Sequence, residues 1–130
     1  MELYMVKFNG TDYQAAEGMF TSRKEAVFFL EEALGMKASD GNVWIDPLED
    51  AKPGYFTIEQ YEVEKETDKV YIVKFSVECF SDSIADVFSS RDEAVAYIEQ
   101  DEELCHTMHN LWEHKELEHE YWQIEEQEVL

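Results

Sequence analysis

Positive charge is scarce in this chain. Lys and Arg number 10 against 31 Asp and Glu in 130 residues, a formal net charge of -21. Such a balance repels nucleic-acid phosphates and anionic membranes and attracts surfaces rich in Lys and Arg. Direct nucleic-acid binding is thereby excluded, and any connection to nucleic acid has to run through a protein. Cysteine is almost missing. Cys79 and Cys105 stand at no metal or redox spacing, which excludes a disulfide framework and leaves reduced intracellular thiols as the expectation. No apolar run approaches the roughly 20 residues of a membrane span. A strand-like pattern follows Met1 almost at once, in place of a basic and then apolar leader. A soluble, cytoplasmic protein is expected.

Aromatic residues, by contrast, make up 14% of the chain and cluster inside strand-like runs, which disfavours intrinsic disorder despite the charge. The length suits one compact domain, or two half-size units sharing a core, burying roughly two-thirds of the unfolded surface. The sequence is written twice. Phe20-Thr21-Ser22-Arg23-Lys24-Glu25-Ala26-Val27 returns as Phe88-Ser89-Ser90-Arg91-Asp92-Glu93-Ala94-Val95, and Leu3-Tyr4-Met5-Val6-Lys7-Phe8 as Val70-Tyr71-Ile72-Val73-Lys74-Phe75. Asn42-Val43-Trp44 returns as Asn110-Leu111-Trp112, and residues 55–63 as 121–129. About half or more of the positions in these blocks are identical, a strong internal repeat that divides the chain into units 1–66 and 67–130.

Each unit reads strand, strand, helix, strand. β-Branched and aromatic residues mark 3–8 and 70–75 as strands. Both faces of the first are apolar, with Tyr4, Val6 and Phe8 on one and Leu3 and Met5 on the other, as expected of a central strand covered on both sides. Asn9-Gly10-Thr11-Asp12 reads as a turn, and residues 13–20 and 80–88 as hairpin partners. Ser22 with Glu25, and Ser90 with Glu93, carry the capping-box signature of a helix start. The first helix is expected over 23–34, with Val27, Leu30 and Leu34 inward and Gly35 as its stop. The second starts at Arg91 with Val95 and Ile98 inward. Past Asp101, the spacing of Leu104 or Cys105, Met108 and Leu111 predicts a longer helix or a second one. Residues 46–54 read as a loop bracketed by Pro47 and Pro53, and residues 113–120, free of Gly and Pro, as more helical. Within 55–63 and 121–129 the apolar phase slips by one residue, which predicts a β-bulge near Glu59 and Gln60 and its counterpart.

The expected fold class is therefore α+β: two pseudo-symmetric ββαβ repeats, each an antiparallel sheet in the order 2-1-3 with its helix on one face. On the other face Leu3, Met5, Val70 and Ile72 would form an exposed apolar patch. Either the two sheets pack face to face with the helices outside, or they join edge to edge and the open face meets another subunit or a partner.

The blocks Val70-Tyr71-Ile72-Val73, 87–98 and 121–129 resemble a loosely defined group of short, uncharacterised bacterial and phage proteins. That group is marked by a VYIV-type strand, a phrase like VFSSRDEAVAYI and a closing YWIEEYEV-type strand, present here in two tandem copies of which the first is weaker. The resemblance covers most of the chain. It implies a small α+β fold and a phage or prophage source. Its motifs are a cap, a core and a strand, and they carry no catalytic residue.

All four histidines fall between His106 and His119. On a helix, Cys105, His109 and Glu113 would share one face, a trio that zinc or nickel could use. Those spacings match no closed-site motif, and neither a metal nor a cofactor is expected. The chain holds no nucleophile elbow, P-loop, dinucleotide-binding turn or zinc-protease helix. Ser89 and Ser90 read as capping residues rather than nucleophiles, Trp44 and Trp112 as core. Carboxylates are too numerous for one pair to stand out as general acid and base, so an enzyme is not expected.

The acid itself is the remaining candidate. Glu99, Asp101, Glu102, Glu103, Glu113, Glu116, Glu118, Glu120, Glu125, Glu126 and Glu128 are punctuated by Trp112, Tyr121 and Trp122. The net charge exceeds the magnitude of roughly 2 to 8 that keeps a small domain soluble, and it opposes compaction. Duplex DNA presents about one charge per 1.7 Å of its axis, and carboxylates fixed on a helix and adjacent strand ends could approximate such a row. The expected function is a non-enzymatic acidic inhibitor, phage-encoded as the resemblance implies, that mimics nucleic acid and occupies the basic surface of a host nucleic-acid-binding defence enzyme. The alternative is a tandem-repeat assembly or protein-docking module, a homodimer through the open sheet face included.

Overall fold

The computed structural model describes residues 1–47, 54–77, 81–117 and 120–130. The loop expected between Pro47 and Pro53 lies largely outside the described residues, as do Cys79, Phe80, Glu118 and His119. In the first half, β1 (Glu2–Gly10) runs antiparallel between β2 (Gln14–Phe20) and β5 (Gly54–Glu62). Short strands β3 (Lys37–Ala38) and β4 (Trp44–Ile45) extend the sheet beyond β5, giving the order β2-β1-β5-β4-β3. The second half repeats the plan with β6 (Lys69–Val77), β7 (Ser81–Phe88), β8 (Leu104–Met108), β9 (Leu111–His114) and β10 (Glu120–Glu128), in the order β7-β6-β10-β9-β8. The fold is thus mixed α+β with two five-stranded antiparallel sheets and two similar halves. Each sheet has two strands more than the expected 2-1-3 arrangement.

The capping serines start the helices. Ser22 Oγ accepts from the Glu25 amide at 3.1 Å and Ser90 Oγ from the Glu93 amide at 3.2 Å, opening α1 (Arg23–Phe28) and α2 (Arg91–Glu99). Glu93 completes its end with the side chain, Oε1 accepting from both Ser89 and Ser90 hydroxyls at 3.0 Å. α1 runs on as a π-helical turn over Phe29–Ala33, closed by the Leu34 amide donating to the Phe29 carbonyl at 3.0 Å. Gly35, at φ +70°, then takes the left-handed conformation that ends the helix.

Among the described residues no helix follows α2. The stretch read as helical from Cys105, Met108 and Leu111 is the β8–β9 hairpin, in which Cys105 faces Glu113 and His106 faces Trp112. The 3/4 spacing was misleading because Cys105 and Met108 are exposed rather than part of a buried stripe. Of that hairpin, Trp112 and, in part, Leu104 turn inward. Residues 113–117 likewise finish β9 and enter a bend, not a helix.

The bulges are also displaced. β5 pairs with β1 in unbroken register from Glu2 with Glu62 to Gly10 with Gly54, so no bulge interrupts Glu59 and Gln60. The register shifts lie instead in the other hairpin of each half. Glu17 is the extra residue opposite Val6 and Lys7, and Ala85 the one opposite Val73 and Lys74. The slip of phase in β5 has a different cause: Ile58 faces the helix, whereas Tyr61 and Val63 face the other sheet, as a strand covered on both sides allows.

Three apolar layers result. Val6, Phe20, Ala26, Leu30, Trp44 and Ile58 join α1 to its sheet, and Val73, Ala94, Ile98, Trp112 and Ile124 join α2 to the other. Between the sheets lie Leu3, Met5, Met19, Val63, Val70, Ile72 and Val87. The sheets therefore pack face to face with helices outside. Leu3, Met5, Val70 and Ile72 are all 0% exposed and offer no open face to a second subunit. At two corners the sheets are also stitched: the Asp82 amide donates to the Asp12 carbonyl at 3.0 Å, and the Leu130 amide to the Met19 carbonyl at 2.7 Å.

Two outcomes test this core. Met5→Ala and Ile72→Ala should each cost about 2–5 kcal/mol by urea unfolding, as buried truncations do when the site cannot collapse. Tyr61 packs at the rim of the same layer, and burial, then Glu59 and Asp86, push its hydroxyl from 10.0 up to about 12. Between these two pH values only the unfolded chain gives up this proton. The stability tied to it is complete below pH 10 and falls as pH rises toward 12, a fall that Tyr61→Phe should flatten in alkaline melts.

Candidate functional site

Residues 92–130 contain 13 carboxylates and a single basic residue, Lys115. The fold sorts the candidate acids into two groups. α2 ends at Glu99, and the Asp101 side chain accepts from the Glu103 amide at 2.9 Å while its carbonyl accepts from Leu104 at 3.2 Å. This Asx-type turn launches β8 and leaves Asp101, Glu102 and Glu103 exposed on consecutive positions. The Lys115 amide donates to the Glu103 carbonyl at 2.8 Å, so the bend after β9 lies against this turn. His114 shapes that bend by accepting at Nδ1 from the Glu116 and Leu117 amides at 3.1 and 2.9 Å. Glu116 and Glu113 are thereby placed beside the 101–103 turn, both exposed.

The hairpin carrying these acids is fastened to α2 at several points. Arg91 Nε donates to Asn110 Oδ1 at 3.2 Å, and Arg91 Nη2 donates to the His109 carbonyl. Trp112, 1% exposed, donates its indole N–H to Glu99 Oε2 at 3.1 Å, and its ring stacks on His106 with centroids 4.4 Å apart. The first half contains the same bond, Trp44 Nε1 to Glu31 Oε2 at 3.1 Å. Glu99 therefore serves the fold as a buried tryptophan's acceptor, a role its place in an acidic run concealed.

The second group lies along β10. Glu125 pairs with Lys74 at 3.5 Å, and Glu126 with Lys69 at 3.7 Å while also accepting from the Tyr71 hydroxyl at 3.2 Å. Glu128 faces Lys69 across the β6–β10 pair, and Glu120 faces Val77. Eight residues along a strand separate Glu120 from Glu128, about 27 Å at the usual rise, so this group is spread along the length of β10. Glu118 lies outside the described residues. Among the described residues, Glu102, Glu103, Glu113 and Glu116 have no Lys or Arg within ion-pair distance, and together with Asp101 they make the uncompensated ridge of the second half.

The trio Cys105, His109 and Glu113 is not assembled. Cys105 and Glu113 face each other across the hairpin while His109 sits in its turn, and among the described residues no group of His, Cys, Asp and Glu is arranged to hold a metal ion. A feature that sequence reasoning passed over lies on the first half. Phe28 is 66% exposed on α1, and the signal was available in Ala96, which occupies its position in the repeat. Comparison with known protein families, curated proteins and solved structures finds no match to this chain.

The division of labour is measurable. Glu99→Ala and Glu31→Ala should each cost about 1–3 kcal/mol by leaving a buried indole donor without its acceptor. Glu102→Ala, at an exposed turn, should stay within about 0.5 kcal/mol of wild type.

Proposed function

We propose that the protein is a non-enzymatic acidic binding protein that mimics nucleic acid and occupies the Lys- and Arg-lined groove of a nucleic-acid-binding protein. The resemblance to bacterial and phage proteins, with the phage source it implies, makes a host defence enzyme the expected class of target. The observation that carries this reading is the ridge of Asp101, Glu102, Glu103, Glu113 and Glu116, exposed and with no Lys or Arg within ion-pair distance among the described residues. Its backbone is pinned by the Lys115–Glu103 hydrogen bond, and that of the adjoining hairpin by the bond from Arg91 to the His109 carbonyl. Fixed carboxylates lose little conformational freedom on docking, which favours association over the same charges on a floppy tail. Complementary potentials also speed encounter and select basic partners. Glu125 and Glu126 contribute less to such a field, since each already faces a lysine.

The docking-module alternative drew on an open sheet face, and the four side chains that defined that face are buried within the chain. Immobilised protein should retain nucleic-acid-binding proteins from a bacterial lysate at about 50 mM salt, lose them toward 200 mM as phosphate-like contacts do, and release them to added duplex DNA. Reversing Glu102, Glu103, Glu113 and Glu116 to Lys should abolish retention with the melting temperature preserved. Retention indifferent to both DNA and charge reversal would contradict the reading.

A further inference from the structure

We infer that the outward face of α1 is a self-association surface whose occupant is the same face of a second copy of this chain. Phe20, Phe28, Phe29, Ala33 and Leu130 line a groove of about 570 Å³ on the first half. Phe28 and Leu130, 66% and 60% exposed, are among its walls, and Lys24 and Glu25 form its polar side. The fold itself does not call for this surface. Phe28 stands six residues after its N-cap Ser22, and six residues after N-cap Ser90 the second half has Ala96, on a helix docked to its sheet in the same way. Lys24 likewise corresponds to Asp92. α2 runs straight from Arg91 to Glu99, whereas α1 widens into its π turn directly beneath the groove, with Phe29 and Ala33 at the two ends of that turn. Such turns are frequent at functional sites.

Three features choose a second copy over a foreign partner. A two-fold interface must be self-complementary, and here a protruding aromatic ring and an apolar groove share one surface, so each Phe28 can enter the other copy's groove. Lys24 and Glu25 both line this surface and are of opposite sign, so a two-fold axis placed between them pairs Lys24 of one copy with Glu25 of the other. Finally, α1 and α2 cover opposite outer faces of the two packed sheets. Pairing through α1 leaves both acidic ridges at the far ends, where two chains of charge -21 repel least. The inference does not depend on the proposed nucleic-acid mimicry: the dimer should tighten with salt, as net repulsion is screened, whereas target binding should weaken.

Sedimentation equilibrium on the full chain tests it. The apparent mass should rise with concentration from 15.3 kDa toward twice that value, and more readily at 500 than at 50 mM salt. Phe28→Ala, which copies the residue already tolerated at Ala96, should weaken the dimer at least about tenfold, as loss of a central aromatic anchor does, with the melting temperature unchanged at dilutions where the wild type is monomeric. Lys24→Glu and Glu25→Lys should each weaken it, and the two together should restore it. A mass fixed at 15.3 kDa under all conditions, a dimer unaffected by Phe28→Ala, or no restoration in the double variant would overturn the inference.

Discussion

The structure depends on one apolar layer between two sheets. Leu3, Met5, Met19 and Val63 from one half meet Val70, Ile72 and Val87 from the other, and each is 4% exposed or less. Burying side chains of this size is worth about 1.5–3 kcal/mol apiece, with entropic costs set against it. Among the described residues it is the one apolar layer to which both halves contribute. It also explains why β1 and β6 are apolar on both sides: one face receives a helix, the other receives the partner sheet. A chain of net charge -21 resists compaction by its own field, and a buried, shared apolar interior is what offsets that repulsion while leaving the carboxylates in water.

Much of this was legible in the sequence because the relevant signals are local or repeated. The strands at 3–8 and 70–75 carry β-branched and aromatic residues in register, and Ser22 and Ser90 sit three residues ahead of Glu25 and Glu93, a spacing that has one common structural meaning. Where the reading failed, a one-dimensional pattern had two three-dimensional solutions. Cys105, Met108 and Leu111 fit a helical period, yet the same residues serve a hairpin in which Cys105 and Met108 look into solvent. The phase slip in β5 looked like a bulge because alternation was assumed to track a single buried face. Glu99 was grouped with its acidic neighbours, since sequence does not reveal that a tryptophan 13 residues away donates to it.

The halves share their interior and differ at the surface. Ser22 and Ser90, Trp44 and Trp112, Glu31 and Glu99, and Ile58 and Ile124 fill corresponding places. The outward positions diverge: Lys24 and Phe28 on α1 answer to Asp92 and Ala96 on α2, and Leu34 and Gly35 after the first helix answer to Glu102 and Glu103 after the second. One half thus gathers apolar surface and the other gathers acid. That asymmetry is what the proposed functions use, an anionic ridge for a basic partner and an apolar face for a second copy, on opposite outer layers of a single sandwich.

The claim that both halves stand on one shared layer is tested most directly by native-state hydrogen exchange of the backbone amides in β1 and β6. The slowest amides around Met5 and Val6 and those around Ile72 and Val73 should open with one common free energy, equal to that of global unfolding. If one set exchanged through a separate opening of clearly lower free energy while the other remained protected, the halves would be independent and the account would fail.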